Sequence, residues 1–335
     1  MGFDLYELGL KKSVITKTTD GLNFFFYGYN GLGKTQEAVK FPKPLFISFQ
    51  GVGLSGLNGV EFKSVKTWAE FKSFINMLVM HEKEIKQQYQ TIIMDEIEVA
   101  QMMVEKYICD TNGVTRIKDG NNGYGLYKEL KTEVDYTFLK LIGTSFCKIY
   151  ITHPKQNEDG KMLPVGDANR FLPILINHSV IVGYVKPNGL DAEGKPVHSS
   201  LELTQTDQWF AKTNNTYFVP EIEDFTAENV IKAYFDAVDK QIAIEGAHPV
   251  TYEEQQELFK TGNEDIQFED LIADTQDLCR DLAEKISVDK VTAIVESVLG
   301  TGKKLSACTE QQIEAVQVIK SIVEAELNKL GAKKK

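Results

Sequence analysis

Cysteine is scarce in this chain and shows no pattern. Cys109, Cys147, Cys279 and Cys308 are the four among 335 residues, and no two form a C-x-x-C pair. Such spacing supports neither a disulfide frame nor a zinc ribbon, so free thiols in a reducing cytoplasm are expected. Long apolar runs are missing too. No stretch of about 18 uninterrupted apolar residues occurs, which excludes a spanning helix and makes a membrane partner unexpected. Met1 to Lys11 alternates charged and apolar residues and lacks the apolar core of a secretory leader. Positive charge is not in excess, for the formal net charge is -11. That argues against a surface coated in nucleic acid and leaves room for a local basic groove.

What is present is enough apolar residue, 42%, for a sizeable core. The length suggests one large domain or two. From Leu22 to Val185 short apolar runs alternate with amphipathic stretches, the pattern of a parallel sheet flanked by helices. The runs are Leu22 to Tyr27, Leu45 to Phe49, Thr91 to Asp95, Cys147 to Thr152 and Ser179 to Val185. They are nearly continuous in β-branched and aromatic residues, as strands buried on both faces should be. Helices are expected at Trp68 to Met80, Ile97 to Ile108 and Tyr124 to Ile142; in the first, Trp68, Phe71, Ile75, Leu78 and Val79 share a face. Residues 1–20 read as a polar lead-in with a short edge strand at Ser13 to Thr16. Asp191 to Lys195 reads as a hairpin tip joining Gly183–Val185 to Val197–Leu203, an antiparallel edge extension. Phe225 to Ile244 reads as a helix capped by Thr226. The expected division is a core over 1–245, a linker over 246–265 and a small helical domain over 266–335, with a frayed tail at Lys333–Lys335. Ile313, Val316, Ile319, Val323, Leu327 and Leu330 form an apolar stripe in the last part.

The chemistry concentrates in Gly28-Tyr29-Asn30-Gly31-Leu32-Gly33-Lys34-Thr35, followed by Gln36. This fits G-x-x-x-x-G-K-[ST] and lies between an apolar run and a helix-compatible stretch. Glycines let consecutive N–H groups converge on phosphate oxygens, and the following helix adds its positive end. Lys34 would reach the β- and γ-phosphates and the Thr35 hydroxyl would ligate Mg²⁺. The bland alternative is a glycine-rich strand-to-helix turn. An apolar strand ending in acids, Ile92-Ile93-Met94-Asp95-Glu96, supplies the second half of such a site. Asp95 would organise the metal and Glu96 would polarise the attacking water. The strand ending Ile151-Thr152-His153 offers a γ-phosphate sensor, with His153 and Thr152 as candidates; a neutral His153 imidazole could donate to a phosphate oxygen.

Long loops follow on the same sheet face. Residues 110–124 contain Arg116, Lys118 and Tyr124; residues 154–170 contain Lys155, Lys161 and Arg170. Their cations could hold phosphodiester and Tyr124 could stack on a base. Asp119, Glu158 and Asp159 weaken that reading, and mobile surface loops are the plain alternative.

Taken together these residues resemble the phage-encoded nucleotide-binding proteins with a RecA-type ATPase core that are associated with single-strand annealing recombination. The likeness covers about residues 20–240. It rests on the phosphate loop, the acid-ended strand, Glu105-Lys106-Tyr107-Ile108-Cys109 with Asn112-Gly113-Val114, Gly123-Tyr124-Gly125, Ile151-Thr152-His153 and Val180-Ile181-Val182-Gly183-Tyr184. The resemblance implies an α/β, RecA-like αβα core with ATP and Mg²⁺ as cofactors. It also implies single-stranded DNA, a phage annealing or single-strand binding protein, and further copies of the chain as partners in the host cytoplasm. The loops would be its DNA-binding loops. The sequence departs from that pattern at Gln50, where relatives carry a water-activating glutamate, and at Gln205 to Asn214, where they carry arginines that reach a neighbour's nucleotide. Lys186 or Lys212 could serve there. The function expected is a DNA-assisting ATPase; the alternatives are a P-loop motor or helicase loader, and a nucleotide-gated scaffold with little turnover.

Overall fold

The computed structural model describes residues 10–51, 53–54, 56–259 and 268–332. Residues 1–9 of the lead-in, 260–265 of the expected linker, 266–267 at the start of the expected helical domain and the lysine tail 333–335 lie outside the described residues. Internal contacts divide the chain into units Met1–Gln256 and Glu257–Lys335.

In chain order the first unit contains β1 (Asn23–Tyr27), α1 (Lys34–Ala38), β2 (Pro44–Phe49), β3 (Phe62–Val65), α2 (Trp68–Met80), α3 (Glu82–Gln88), β4 (Thr91–Asp95), α4 (Ile97–Thr111) and α5 (Tyr127–Ile142). It continues with β5 (Cys147–Thr152), β6 (Pro154–Gln156), β7 (Met162–Pro164), α6 (Leu172–His178), β8 (Ile181–Lys186), β9 (Ser200–Glu202), β10 (Lys212–Thr213), β11 (Glu221–Ile222) and α7 (Ala227–Glu245). Helix α8 (Tyr252–Phe259) spans the division.

The sheet runs β11-β9-β8-β1-β5-β4-β2-β3, with β10 also on β8. Strands β3, β2, β4, β5, β1 and β8 are mutually parallel. The antiparallel members β9, β10 and β11 extend one edge. All five residues of β1 are buried, as are those of β4, because helices cover both faces. One core layer centres on Phe25, Tyr27, Trp68, Phe71 and Phe138; the other centres on Phe24, Phe26, Phe46 and Ile149. Strand alternation sends successive phenylalanines of β1 to opposite layers.

Trp68, Phe71, Ile75 and Leu78 of α2 are buried as their spacing predicts, whereas Val79 is 39% exposed and leaves that face. Helix α7 begins at Thr226, whose side chain accepts from the Asn229 N–H at 3.1 Å, and ends at Gly246 with φ +66°. The Asp191 turn closes as expected, with its backbone N–H donating to Lys195 O at 2.8 Å.

Several segments differ from the sequence expectation. Ser13–Thr16 adds no strand to the sheet; Thr16 makes a lone parallel bridge to Val250. Helix α5 begins at Tyr127, because Gly123 and Gly125 hold positive φ and break any helix from Tyr124. Part of the stretch read as a linker is α8. Thr251 and Glu254 form a reciprocal cap there, with Thr251 Oγ1 accepting from the Glu254 N–H at 3.1 Å and Glu254 Oε2 accepting from the Thr251 N–H at 2.8 Å. Loop 154–170 contains the β6–β7 hairpin, and loop 110–124 is tightened by short 3-10 turns at Ile117–Asp119 and Asn121–Gly123.

The second unit holds α9 (Phe268–Lys285), α10 (Val288–Leu299) and α11 (Ile313–Ala332). Val316, Ile319 and Val323 of the stripe are buried against Leu271, Leu282 and Val295, with Ile313, Leu327 and Leu330 packed around them.

Candidate active site

The site lies at the carboxyl ends of the parallel strands, where β1, β5 and β4 stand side by side. This order puts the loop after β1, the acids after β4 and His153 after β5 around one cleft of about 440 Å³. Asn30 to Gln36, Gly53, Leu57, Asp95, Glu96 and His153 line it. Gly28 is required by close approach: a Cβ there would sit 2.6 Å from Val185 O of β8. Gly31 and Gly33 are required by their φ of +79° and +83°, and Gly33 delivers the chain into α1.

Lys34 is 6% exposed, and its Nζ donates to the loop carbonyls of Gly28 at 2.7 Å and Tyr29 at 2.8 Å. Burial pulls its pKa down, while Asp95, Glu98 and Glu96 pull upward. Thr35 Oγ1 donates to Asp95 Oδ2 at 2.6 Å. Burial pushes the Asp95 carboxyl up to about 6, against the Thr35 hydrogen bond. This adjacent hydroxyl and carboxylate are hard oxygen donors, the set that suits Mg²⁺.

His153 is held on both sides. Its Nδ1 lies 2.5 Å from Glu98 Oε1, and its Nε2 contacts Asn30 Oδ1 and stands 3.7 Å from Glu96 Oε1. Glu98 also accepts from Thr152 Oγ1 at 2.7 Å. The Glu98 hydrogen bond raises the His153 pKa above 6.5, with burial opposing. Burial acts upward on Glu98, but the bonds from His153 and Thr152 outweigh it and hold its pKa below the usual range. The reading of His153 as a neutral imidazole did not include the Glu98 carboxylate on Nδ1, which the sequence does not reveal.

Glu98, Gly53 and Leu57 were not expected at the site. The available signal for Glu98 was an acid in the first turn of the helix that follows the acid-ended strand. Gln50 is exposed and outside the cleft lining, with φ +54° and its N–H on Val65 O at 2.8 Å. Tyr29 also points elsewhere, its hydroxyl 3.6 Å from Met162 Sδ.

The sequence of this cleft has relatives. A model of the AAA domain matches residues 20–214. The chain belongs to the AAA domain family. It is also 36% identical over 307 residues to the SPbeta prophage-derived uncharacterized protein YorG of Bacillus subtilis strain 168, covering 92% of this chain and 94% of that protein. The AAA domain is a P-loop NTPase module, and the matched span contains every residue that lines the cleft.

Other expected residues of this AAA domain lie outside the cleft. Arg116 is exposed and its Nε donates to Asp119 at 2.7 Å; Arg170 Nη1 donates to Asp167 at 2.8 Å, and its guanidinium lies 4.2 Å from the Tyr127 ring centroid. Lys155 Nζ donates to Gly166 O at 3.0 Å. Lys118 is exposed, Lys161 is half-buried beside the hairpin, and Tyr124 is 84% exposed. Lys186 is engaged by Glu202 and Glu221, and Lys212 donates to the α6 carbonyls of Ile176 and Asn177 at 3.1 Å.

Proposed function

We propose that this chain binds ATP with Mg²⁺ and hydrolyses it on a RecA-like core, in the service of single-stranded DNA handling during phage recombination or replication. The observation that supports this best is the convergence of Lys34, Thr35, Asp95, Glu96 and His153 on one cleft. The Lys34 ammonium exchanges its two loop carbonyls for phosphate oxygens, a small movement within a fixed loop. Thr35 and Asp95 would hold magnesium, which would supply charge neutralisation at the phosphates. Glu96, in the cleft wall and clear of the strong bonds that occupy Glu98, takes the proton of the attacking water. His153 contacts the loop through Asn30 and so reads the γ-phosphate position. Gln50 supplies no base, and Glu96 is the carboxylate in the cleft wall left to take that role. This favours turnover over a nucleotide-gated scaffold.

Support for DNA is more distributed. Tyr124 offers an open ring for stacking, and Lys118 in the same loop and Lys155 and Lys161 of the 154–170 segment offer cations. The prophage origin of YorG supports the phage setting. Recruitment of an annealing or single-strand binding protein, and self-association, complete the proposal. The first test is Lys34→Ala. Loss of ATP affinity by about 100-fold or more is expected, together with loss of ATP-dependent DNA binding. Survival of both in the variant would overturn the assignment.

A further inference from the structure

The charge lining the cleft does not match a triphosphate. Asp95 and Glu96 face it as carboxylates, and Lys34 is the ammonium among the described lining residues. Beside Lys34 and the Mg²⁺ that Thr35 and Asp95 would hold, a polyphosphate tail gains from a further side-chain cation near its end. The remaining titratable group in the wall is His153.

Its surroundings decide its charge. Nδ1 faces Glu98 Oε1 at 2.5 Å, so a proton belongs on that nitrogen. Nε2 faces Asn30 Oδ1, with Glu96 Oε1 behind it at 3.7 Å, so acceptors also surround the second nitrogen. A neutral imidazole carries one N–H, whereas this pocket has acceptors for two. Glu98 is itself fixed: its other oxygen accepts from Thr152 Oγ1 at 2.7 Å, and Oε1 also receives the His153 backbone N–H at 3.3 Å. The charged groups around the ring are Glu98 from α4, Glu96 at the end of β4 and, opposing them, Lys34 from α1. Carboxylates prevail, which agrees with the raised pKa of the ring.

We infer that His153 stands in the working cleft as an imidazolium, and that Glu98 is the positioning residue that keeps it protonated and aimed at Asn30. The chain thereby supplies a second cation to its own nucleotide. The catalytic meaning of this charge rests on the ATP reading above; the charge itself does not. Glu98 is not among the residues that line the cleft. It acts through His153, and on the hairpin side it holds Thr152, whose hydroxyl also reaches Val165 O at 3.2 Å.

The test is imidazole NMR titration of the full chain, with His153→Gln identifying the signal, beside kcat and KM for ATP over about pH 6 to 8.5. In the wild type His153 should titrate above 6.5. In Glu98→Gln its pKa should fall by about one unit or more. The same variant should lose about tenfold in kcat near pH 8, with KM little changed, and should recover toward wild type as pH falls and protonation no longer needs the carboxylate. His153→Gln should lose about 100-fold in kcat at the acid end of the range, with the gap narrowing as the wild-type ring loses its proton, while still binding nucleotide. A His153 signal that titrates at or below 6.5, or at the same pH in both proteins, overturns the inference. So does a variant-to-wild-type ratio that is flat with pH. If the wild type binds no ATP, the functional reading falls while the titration still decides the charge; Glu98→Asp, which keeps the carboxylate, guards against a folding defect by retaining the raised titration.

Discussion

Asp95 is 3% exposed, yet its carboxylate must be ionised to hold a cation. Desolvation lifts its pKa to about 6 from 3.8. Between these values the folded chain holds a proton that the unfolded chain releases, so stability falls as pH rises through that window. Asp95→Asn should flatten this fall in denaturant melts recorded at a series of pH values and leave the protein no less stable at neutral pH. The same variant should lose Mg²⁺-dependent nucleotide affinity by about 100-fold, read by titration with and without the metal. In the wild type that affinity should weaken as pH drops through about 6, because the proton competes for the same oxygen. Lys34, Thr35 and Asp95 were legible in the sequence because each is specified by its immediate neighbours. Glu98 was not, because its partner His153 is 55 residues away and only the β4-β5 adjacency brings them together.

Strands and helices show a similar division between local and distant causes. Continuous apolar runs announced β1, β2, β4, β5 and β8, since burial on both faces leaves no polar alternation to misread. Strand β3 was missed: Phe62 and Lys63 are exposed and Ser64 half-buried, so only Val65 carries a core signal. Helix α8 was missed although its capping box was present, because Glu and Gln dominate its length. Thr251→Ala should cost about 1 kcal/mol locally and raise amide exchange in residues 252–259 without changing nucleotide affinity. At the far end of β5, Lys148 is fully buried, and its Nζ donates to the carbonyls of Gly21, Ile142 and Thr144. Burial lowers its pKa from 10.5 to about 7. Across that interval the unfolded chain binds the extra proton, so stability should rise with pH, and Lys148→Met should abolish the rise in thermal melts. Gly28→Ala would drive a Cβ into Val185 O and should cost about 1–3 kcal/mol by parting β1 from β8.

At the scale of the molecule, each unit has its own apolar core, one pair of layers in Met1–Gln256 and one cluster in Glu257–Lys335. The α/β character was readable because the runs and the amphipathic stretches alternate in order along the chain. The sheet order was not, for nothing local states that β5 inserts between β1 and β4. That insertion is what gathers Asn30, Asp95, Glu96 and His153, and so the site depends on topology as much as on the phosphate loop. A chain ended after Phe259 should therefore keep ATP affinity within about threefold, measured by fluorescent-nucleotide titration, since every cleft residue precedes that point. The most direct measurement for the whole account is steady-state ATP turnover by the full chain with Mg²⁺, with and without single-stranded DNA, in wild type and Lys34→Ala. The account predicts turnover that single-stranded DNA stimulates and that Lys34→Ala abolishes. Tight ATP binding with no turnover under either condition, or turnover indifferent to Lys34, would contradict it.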